Sequence, residues 1–187
     1  TPLEETMQAF ADIVRQGKAL YIGVSEWNAE QIRAGVALAK QMGFQLISSQ
    51  PQYSMLWRVI EAEVIPACEE LGVSQIVWSP MAQGVLTGKY RGGMPSDSRG
   101  ASPHFSAFIS PYLDERSMRI VEAVMVAADG LGLSPLEVSL AWVRDCPGVT
   151  SAVVGARTGA QLRGALSAES VTIPIPVREA LDEVSAE

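Results

Sequence analysis

Trp78-Ser79-Pro80-Met81-Ala82-Gln83-Gly84-Val85-Leu86-Thr87-Gly88-Lys89-Tyr90 is the stretch on which the reading of this 187-residue chain turns. It follows the apolar run Val73-Ser74-Gln75-Ile76-Val77, whose length and β-branched content describe a buried parallel strand. An aromatic ring, a Ser-Pro turn, a glycine and a lysine therefore arrive together at the carboxyl end of a strand. In α/β folds ligands bind at that end, where loops carry chemistry on a rigid scaffold. A flat ring stacks on a heteroaromatic ligand, and a lysine meets a phosphate.

The sequence on either side alternates strand and helix patterns. Thr1-Pro2-Leu3-Glu4 reads as a capping box with proline at the first helical position. Leu3, Met7, Phe10, Ile13 and Val14 then recur at helical spacing until Gly17. Residues 19–24 form a short apolar strand, Asn28 caps a second helix ended by Gly43, and residues 45–49 form the next strand. A helix over 60–71, with Pro66 marking a kink or restart, leads into the strand at 75–77. Residues 83–113 are rich in Gly, Pro and Ser and lack periodicity; loops of that length are functional or disordered. Helices follow over 115–130 and 134–144, the second opened by the capping box Ser134-Pro135-Leu136-Glu137. The last strand is expected at 151–155, a helix capped by Thr158 comes next, and a final helix covers 177–185. Four βα units preceded by one helix imply a parallel sheet. An open doubly wound sheet and half of a (β/α)8 barrel both satisfy that pattern.

Composition bounds the function. Hydrophobic residues make up 48% of the chain, ample for a core, and charged residues only 19%, as expected of strands covered on both faces. A net charge of −7 argues against nucleic acid as a partner. No apolar run reaches the length of a membrane span, and no signal-peptide pattern precedes the first helix. Cys68 and Cys146 are too few and too far apart for a metal motif or a disulfide framework, and two reduced thiols fit a cytoplasmic protein. The first residue is Thr1 rather than Met, so the natural amino terminus is expected to lie further upstream.

Three further strand ends carry candidate ligand groups. Ser25 and Asn28 close the first strand, where loop and cap roles are the ordinary reading. Gln50 closes the second with both a donor and an acceptor, which a primary amide requires. The last strand runs into Gly155-Ala156-Arg157-Thr158-Gly159-Ala160-Gln161, and a capped helix start is an anion site by geometry alone. Arg157 adds a guanidinium fork suited to phosphate, pairing with a surface carboxylate being its ordinary alternative. His104, the only histidine, reads as a solvated or substrate-side loop residue rather than a base.

The 78–90 segment closely resembles that of the aldo-keto reductases, in particular the branch that includes potassium-channel β subunits. The resemblance covers nearly the whole chain but only the second half of that family's barrel. It selects the (β/α)8 TIM barrel, of which these residues supply about strands 5–8 as one domain over 1–187. It implies NADP(H) as cofactor, with the nicotinamide stacked on Trp78 and its carboxamide held by Ser25 and Gln50. Glu26 stands where many members carry Asn, and its carboxylate does not reproduce that contact. By the same resemblance Ser79, Pro80, Met81, Gly84 and Leu86 underlie the pyrophosphate, and Lys89 and Arg99 lie near the phosphates. Gly155, Arg157 and Gln161 match the pattern that grips the 2′-phosphate, favouring NADP over NAD; Gly164 and Ala165 replace its Glu-Asn pair.

The implied reaction is hydride transfer to an aldehyde or ketone, a small-molecule carbonyl substrate. The family's Asp, Tyr, Lys and His proton-donating set lies on the first four strands, and none of those motifs occurs here. No catalytic residue and no metal ligand is therefore assigned. The alternatives are a nucleotide-binding regulatory subunit and a non-catalytic half-barrel remnant. A half barrel leaves edge strands unpaired, so its missing half or a homo-oligomer is the expected partner.

Overall fold

The amino-terminal helix owes its position to an apolar stripe rather than to a cap. α1 (Leu3–Arg15) buries Met7 and Ala11, and Pro2, not Thr1, occupies the capping position, with no side-chain cap hydrogen bond. The expected Thr1 capping box is thus replaced: proline takes the cap itself, which leaves Thr1 one residue outside the reach of the third helical N–H. The computed structural model describes residues 1–186. These fall into two compact units, one of Thr1–Gln52, Ile60–Val77 and Pro147–Ser151, the other of Tyr53–Val59, Trp78–Cys146 and the chain from Ala152 onward.

The first unit holds the sheet. β1 (Ile22–Ser25) pairs in parallel with β2 (Leu46–Gln50), which pairs in parallel with β3 (Ser74–Trp78). β4 (Val149–Val153) completes the order β1-β2-β3-β4. A doubly wound sheet reverses its strand order at a switch point; this one does not, and it follows the succession of strands in a β/α barrel. Residues 19–21 lie outside β1, and Leu20 and Tyr21 are 82% and 69% exposed, because β2 supplies pairing partners only from Ile22 onward. α2 (Ala29–Met42) begins at the expected Asn28 capping box: Gln31 N–H donates to Asn28 Oδ1 at 2.8 Å and Asn28 N–H to Gln31 Oε1 at 3.0 Å. The expected 60–71 helix is a short turn at Val59–Glu61 followed by α3 (Val64–Leu71). Pro66 sits in the first turn of α3, where its missing N–H costs no helical hydrogen bond. Met7, Ile22, Val24, Ala39 and Leu46 form one core cluster and Ile32, Cys68 and Val73 another. Burial pushes the Cys68 thiol up, only partly opposed by Gln75 and Arg33, so it stays protonated and inert at neutral pH.

The second unit is helical. α4 (Glu115–Leu131) packs on α5 (Pro135–Arg144) and α7 (Ile175–Ser185), and α6 (Gly159–Ser167) packs on α5, whose Trp142 is 1% exposed. Tyr53 stacks on that indole with ring centroids 5.4 Å apart, and Trp142 Nε1 donates to Asp182 Oδ1 at 2.7 Å. The Arg58 and Arg178 guanidinium groups lie 5.3 and 5.6 Å from the ring centroid. Residues 83–113 are held by short 3₁₀ turns and by the buried side chains of Tyr90, Ile109 and Tyr112. Turns of three to six residues are too brief to leave a periodic trace in sequence. Among the described residues no single helix is long and apolar enough to cross a membrane.

The Ser134 capping box forms as read: Ser134 N–H and Oγ–H donate to Glu137 Oε2 at 2.8 and 2.6 Å. Those bonds hold the Glu137 carboxyl below the usual carboxylate range. A depressed folded-state pKa gives stability that is complete above the unfolded value and lost as pH falls through the folded one. Urea unfolding should therefore show a steeper acid-side loss of stability below about pH 4.5 in the native chain than in Glu137→Gln. Identical acid limbs would remove the capping role.

Candidate functional site

The loop after β3 builds one wall of a cleft that lies within the second unit. Ser79, Ala82 and Gln83 adopt left-handed backbone at φ 57°, 45° and 58°, a concentration of strain characteristic of binding loops. Side chains lock it: Ser79 Oγ accepts both the backbone N–H and the Nε2–H of Gln83 at 3.1 Å. Gln83 Oε1 in turn accepts Arg99 Nη1–H at 2.8 Å, tying the residue 99 turn across the loop. Gly84, at φ 90°, is needed for a second reason as well: a Cβ there would meet Lys89 Nζ at 3.0 Å, so the ammonium folds back over bare backbone. Half-buried Trp78 begins this wall, and Ser79, Pro80, Met81, Gly84, Lys89 and Arg99 continue it. Leu86 is fully buried beneath the loop and does not line the cleft.

The opposite wall comes from the end of β4 and the start of α6. Val153, Val154, Gly155, Arg157 and Gln161 face a cavity of about 300 Å³, the lower end of the usual range for ligand sites. Thr158 caps α6 by accepting Gln161 N–H at 3.2 Å, and Gln161 Oε1 accepts Arg157 N–H at 2.7 Å. The Arg157 guanidinium forms no ion pair with any carboxylate among the described residues. The surface ion pair that would have accounted for this residue is therefore not made. β4 ends at Val153, two residues earlier than the sequence suggests, which leaves Gly155 free in the connecting loop. Among the described residues Lys89, Arg99 and Arg157 line the cleft and no Asp or Glu does, so a chain of net charge −7 carries a local concentration of positive charge there.

Comparison with known proteins places the chain in a family. The Aldo/keto reductase family profile matches residues 1–186. The chain belongs to the aldo/keto reductase family. It is 35% identical over 187 residues to a protein of Arabidopsis thaliana named as a probable voltage-gated potassium channel subunit beta, covering 98% of this chain and 57% of that protein. It is 33% identical over 165 residues to the L-glyceraldehyde 3-phosphate reductase of Escherichia coli K12, covering 87% of this chain and 48% of the other. The chain thus spans about half the length of the curated relatives it matches.

Ser25 and Gln50 lie in the first unit, opposite one another in the β1–β2 register. Ser25 Oγ–H donates to the Gln50 carbonyl at 2.9 Å, which fixes two neighbouring strand ends. Glu26 takes left-handed backbone at φ 58° and its carboxylate accepts Gln52 N–H at 2.7 Å. The carboxylate therefore has a structural task of its own, holding the turn after β2. His104 is exposed and lines no part of the cleft. Gln83, Thr87, Leu136, Val153 and Val154 line it without having been singled out from sequence, and Ala165, one of the two residues standing in place of the Glu-Asn pair, lines it as well. Polar Gln83 had a signal in its place beside Gly84; the apolar residues had none, since each looks like core. Two tyrosines face partners other than a lysine amine: Tyr90 Oη accepts Gly100 N–H at 3.2 Å, and Tyr53 Oη lies 2.9 Å from Cys146 Sγ. Lys89 approaches the Tyr90 ring face, 5.0 Å from its centroid, rather than its hydroxyl.

Proposed function

We propose that this chain is the cofactor-binding, carboxyl-terminal half of an NADPH-dependent aldo/keto reductase that reduces an aldehyde or ketone. The observation that carries the reading is the cation-lined cleft, which Trp78 lines together with an arginine that forms no ion pair among the described residues. Trp78 offers a ring face to the nicotinamide, and the Ser79–Gly84 loop with Lys89 and Arg99 cradles the pyrophosphate. Gly155, Arg157 and Gln161 take the 2′-phosphate. When bound, the dinucleotide supplies a hydride to the carbonyl carbon. The proton for the carbonyl oxygen is assigned to residues outside this chain, because the family's Asp, Tyr, Lys and His motifs do not occur in its sequence. The outer strand edges accept the rest of a TIM barrel, from further chain or from a second copy. Two free thiols suit a cytoplasmic setting.

Trp78→Ala should weaken NADPH binding by about 1–3 kcal/mol, the scale of one buried aromatic contact. Titration followed by tryptophan fluorescence reads this directly; unchanged affinity and unchanged quenching would remove the stacking role. A second reading, a nucleotide-binding regulatory subunit, is favoured by the relatives named as potassium channel subunits. Binding of NADPH with no aldehyde turnover by the full-length protein would select it. Residues 1–187 alone should reduce no aldehyde and should self-associate in sedimentation. A well-behaved monomer with turnover would overturn the half-barrel assignment.

A further inference from the structure

Among the described residues Met94 is the methionine with a well-exposed side chain, 45% accessible, whereas the other six are buried or half-buried. Its thioether nevertheless has a defined seat within the second unit. A Cβ on Gly100 would collide with Met94 Sδ and lie 3.0 Å from Tyr90 Cε1, so the sulfur occupies the place where a side chain at residue 100 would begin. Gly100 is buried, and its N–H donates to Tyr90 Oη at 3.2 Å. Sulfur beside an aromatic ring is a favourable contact that a flexible thioether makes readily.

Ser98 connects this seat to the cleft. Its Oγ lies 3.5 Å from Met94 Sδ and donates its proton to the Pro95 carbonyl at 2.6 Å. The same oxygen caps the 3₁₀ turn Arg99–Ala101 by accepting Ala101 N–H at 3.4 Å. That turn carries Arg99, which lines the cleft and reaches Gln83 Oε1 at 2.8 Å. The sulfur, the glycine notch and the Ser98 cap thus form one latch, and its outer member is open to solvent.

We propose that Met94 is a site of reversible oxidation, and that its sulfoxide opens the turn that presents Arg99 to the cleft. In the forward step a hydroperoxide gives one oxygen to Sδ. The O–O bond breaks, an S–O bond forms, the sulfur is oxidised, and the peroxide leaves reduced as water or an alcohol. In the reverse step two thiols of a sulfoxide reductase take that oxygen away as water, close a disulfide and restore the thioether. The sulfoxide is polar and larger at sulfur, and a notch of glycine backbone and tyrosine ring accommodates neither change. Ser98 has a single proton, for which the sulfoxide oxygen, a stronger acceptor than a thioether, competes with the Pro95 carbonyl. Both effects displace the Arg99–Ala101 turn, whatever anion the cleft takes.

The test treats the full-length protein with hydrogen peroxide and follows each methionine by peptide mass spectrometry. Met94 should be oxidised about fivefold faster, or more, than any other methionine of residues 1–186. Hydrogen exchange of the oxidised protein should show a loss of protection of about tenfold over residues 98–102, restored by methionine sulfoxide reductase with a dithiol. Met94→Leu keeps an apolar side chain of similar volume without the sulfur, and should hold that protection in peroxide. Gly100→Ala sets a Cβ where the sulfur sits, and should lower protection over the same residues with no oxidant present. Faster oxidation at another of these methionines would overturn the site. Full protection in the Met94 sulfoxide or in Gly100→Ala, or an equal loss in peroxide-treated Met94→Leu, would overturn the latch.

Discussion

Replacing Arg157 with alanine should lower NADPH affinity by about one to two orders of magnitude and leave NADH affinity nearly unchanged. The guanidinium lines the cleft and forms no ion pair among the described residues, so its charge is available to a 2′-phosphate. Its backbone is held independently, through the N–H donated to Gln161 Oε1, so removing the side chain does not release the loop. Arg157→Lys should recover only part of the loss, because an ammonium keeps the charge and gives up the fork. Fluorescence titration of both cofactors against the native chain and the two variants reads the result. Equal losses for NADPH and NADH would assign Arg157 a structural task instead.

Trp142→Ala should destabilise the second unit by about 3–5 kcal/mol, the range for deleting a large buried aromatic. The indole is 1% exposed, stacks on Tyr53, donates to Asp182 and sits between two guanidinium groups. Its removal opens a cavity and leaves Asp182 Oδ1 without its indole donor. Arg58 also donates to the Asp182 carbonyl at 2.7 Å and to Ser185 Oγ at 2.8 Å, so the seat of α7 loosens with it. Trp142→Phe keeps a stacked ring and should cost less. Urea unfolding followed by circular dichroism measures both; a loss under about 1 kcal/mol for the alanine variant would show that this network does not hold the unit together.

The features legible in sequence are those set by neighbours a few residues apart. Asn28, Ser134 and Thr158 each cap their helix as read, because a cap is a contact between one side chain and an N–H three residues on. Pro66 restarts its helix for an equally local reason. The cations of the cleft were legible too, since each follows the carboxyl end of a strand and the order of strands fixes which end that is. Strand ends were less so: β1 starts later and β4 earlier than their apolar runs suggest, because pairing register rather than hydrophobicity sets where a strand begins.

What the sequence by itself determined is the alternation of strand and helix, the family, and the positive residues gathered after the third and fourth strands. The first and last follow from periodicity, local hydrogen bonding and residue type, and the family from the resemblance carried by residues 78–90. Only the tertiary structure decided that Arg157 forms no ion pair among the described residues and that Leu86 is buried. It alone brought Leu136, Val153 and Ala165 into one apolar wall. The physical reason is the same in each case. These properties belong to contacts between elements distant in the chain, and side-chain type does not reveal which surface a residue will face until those elements pack.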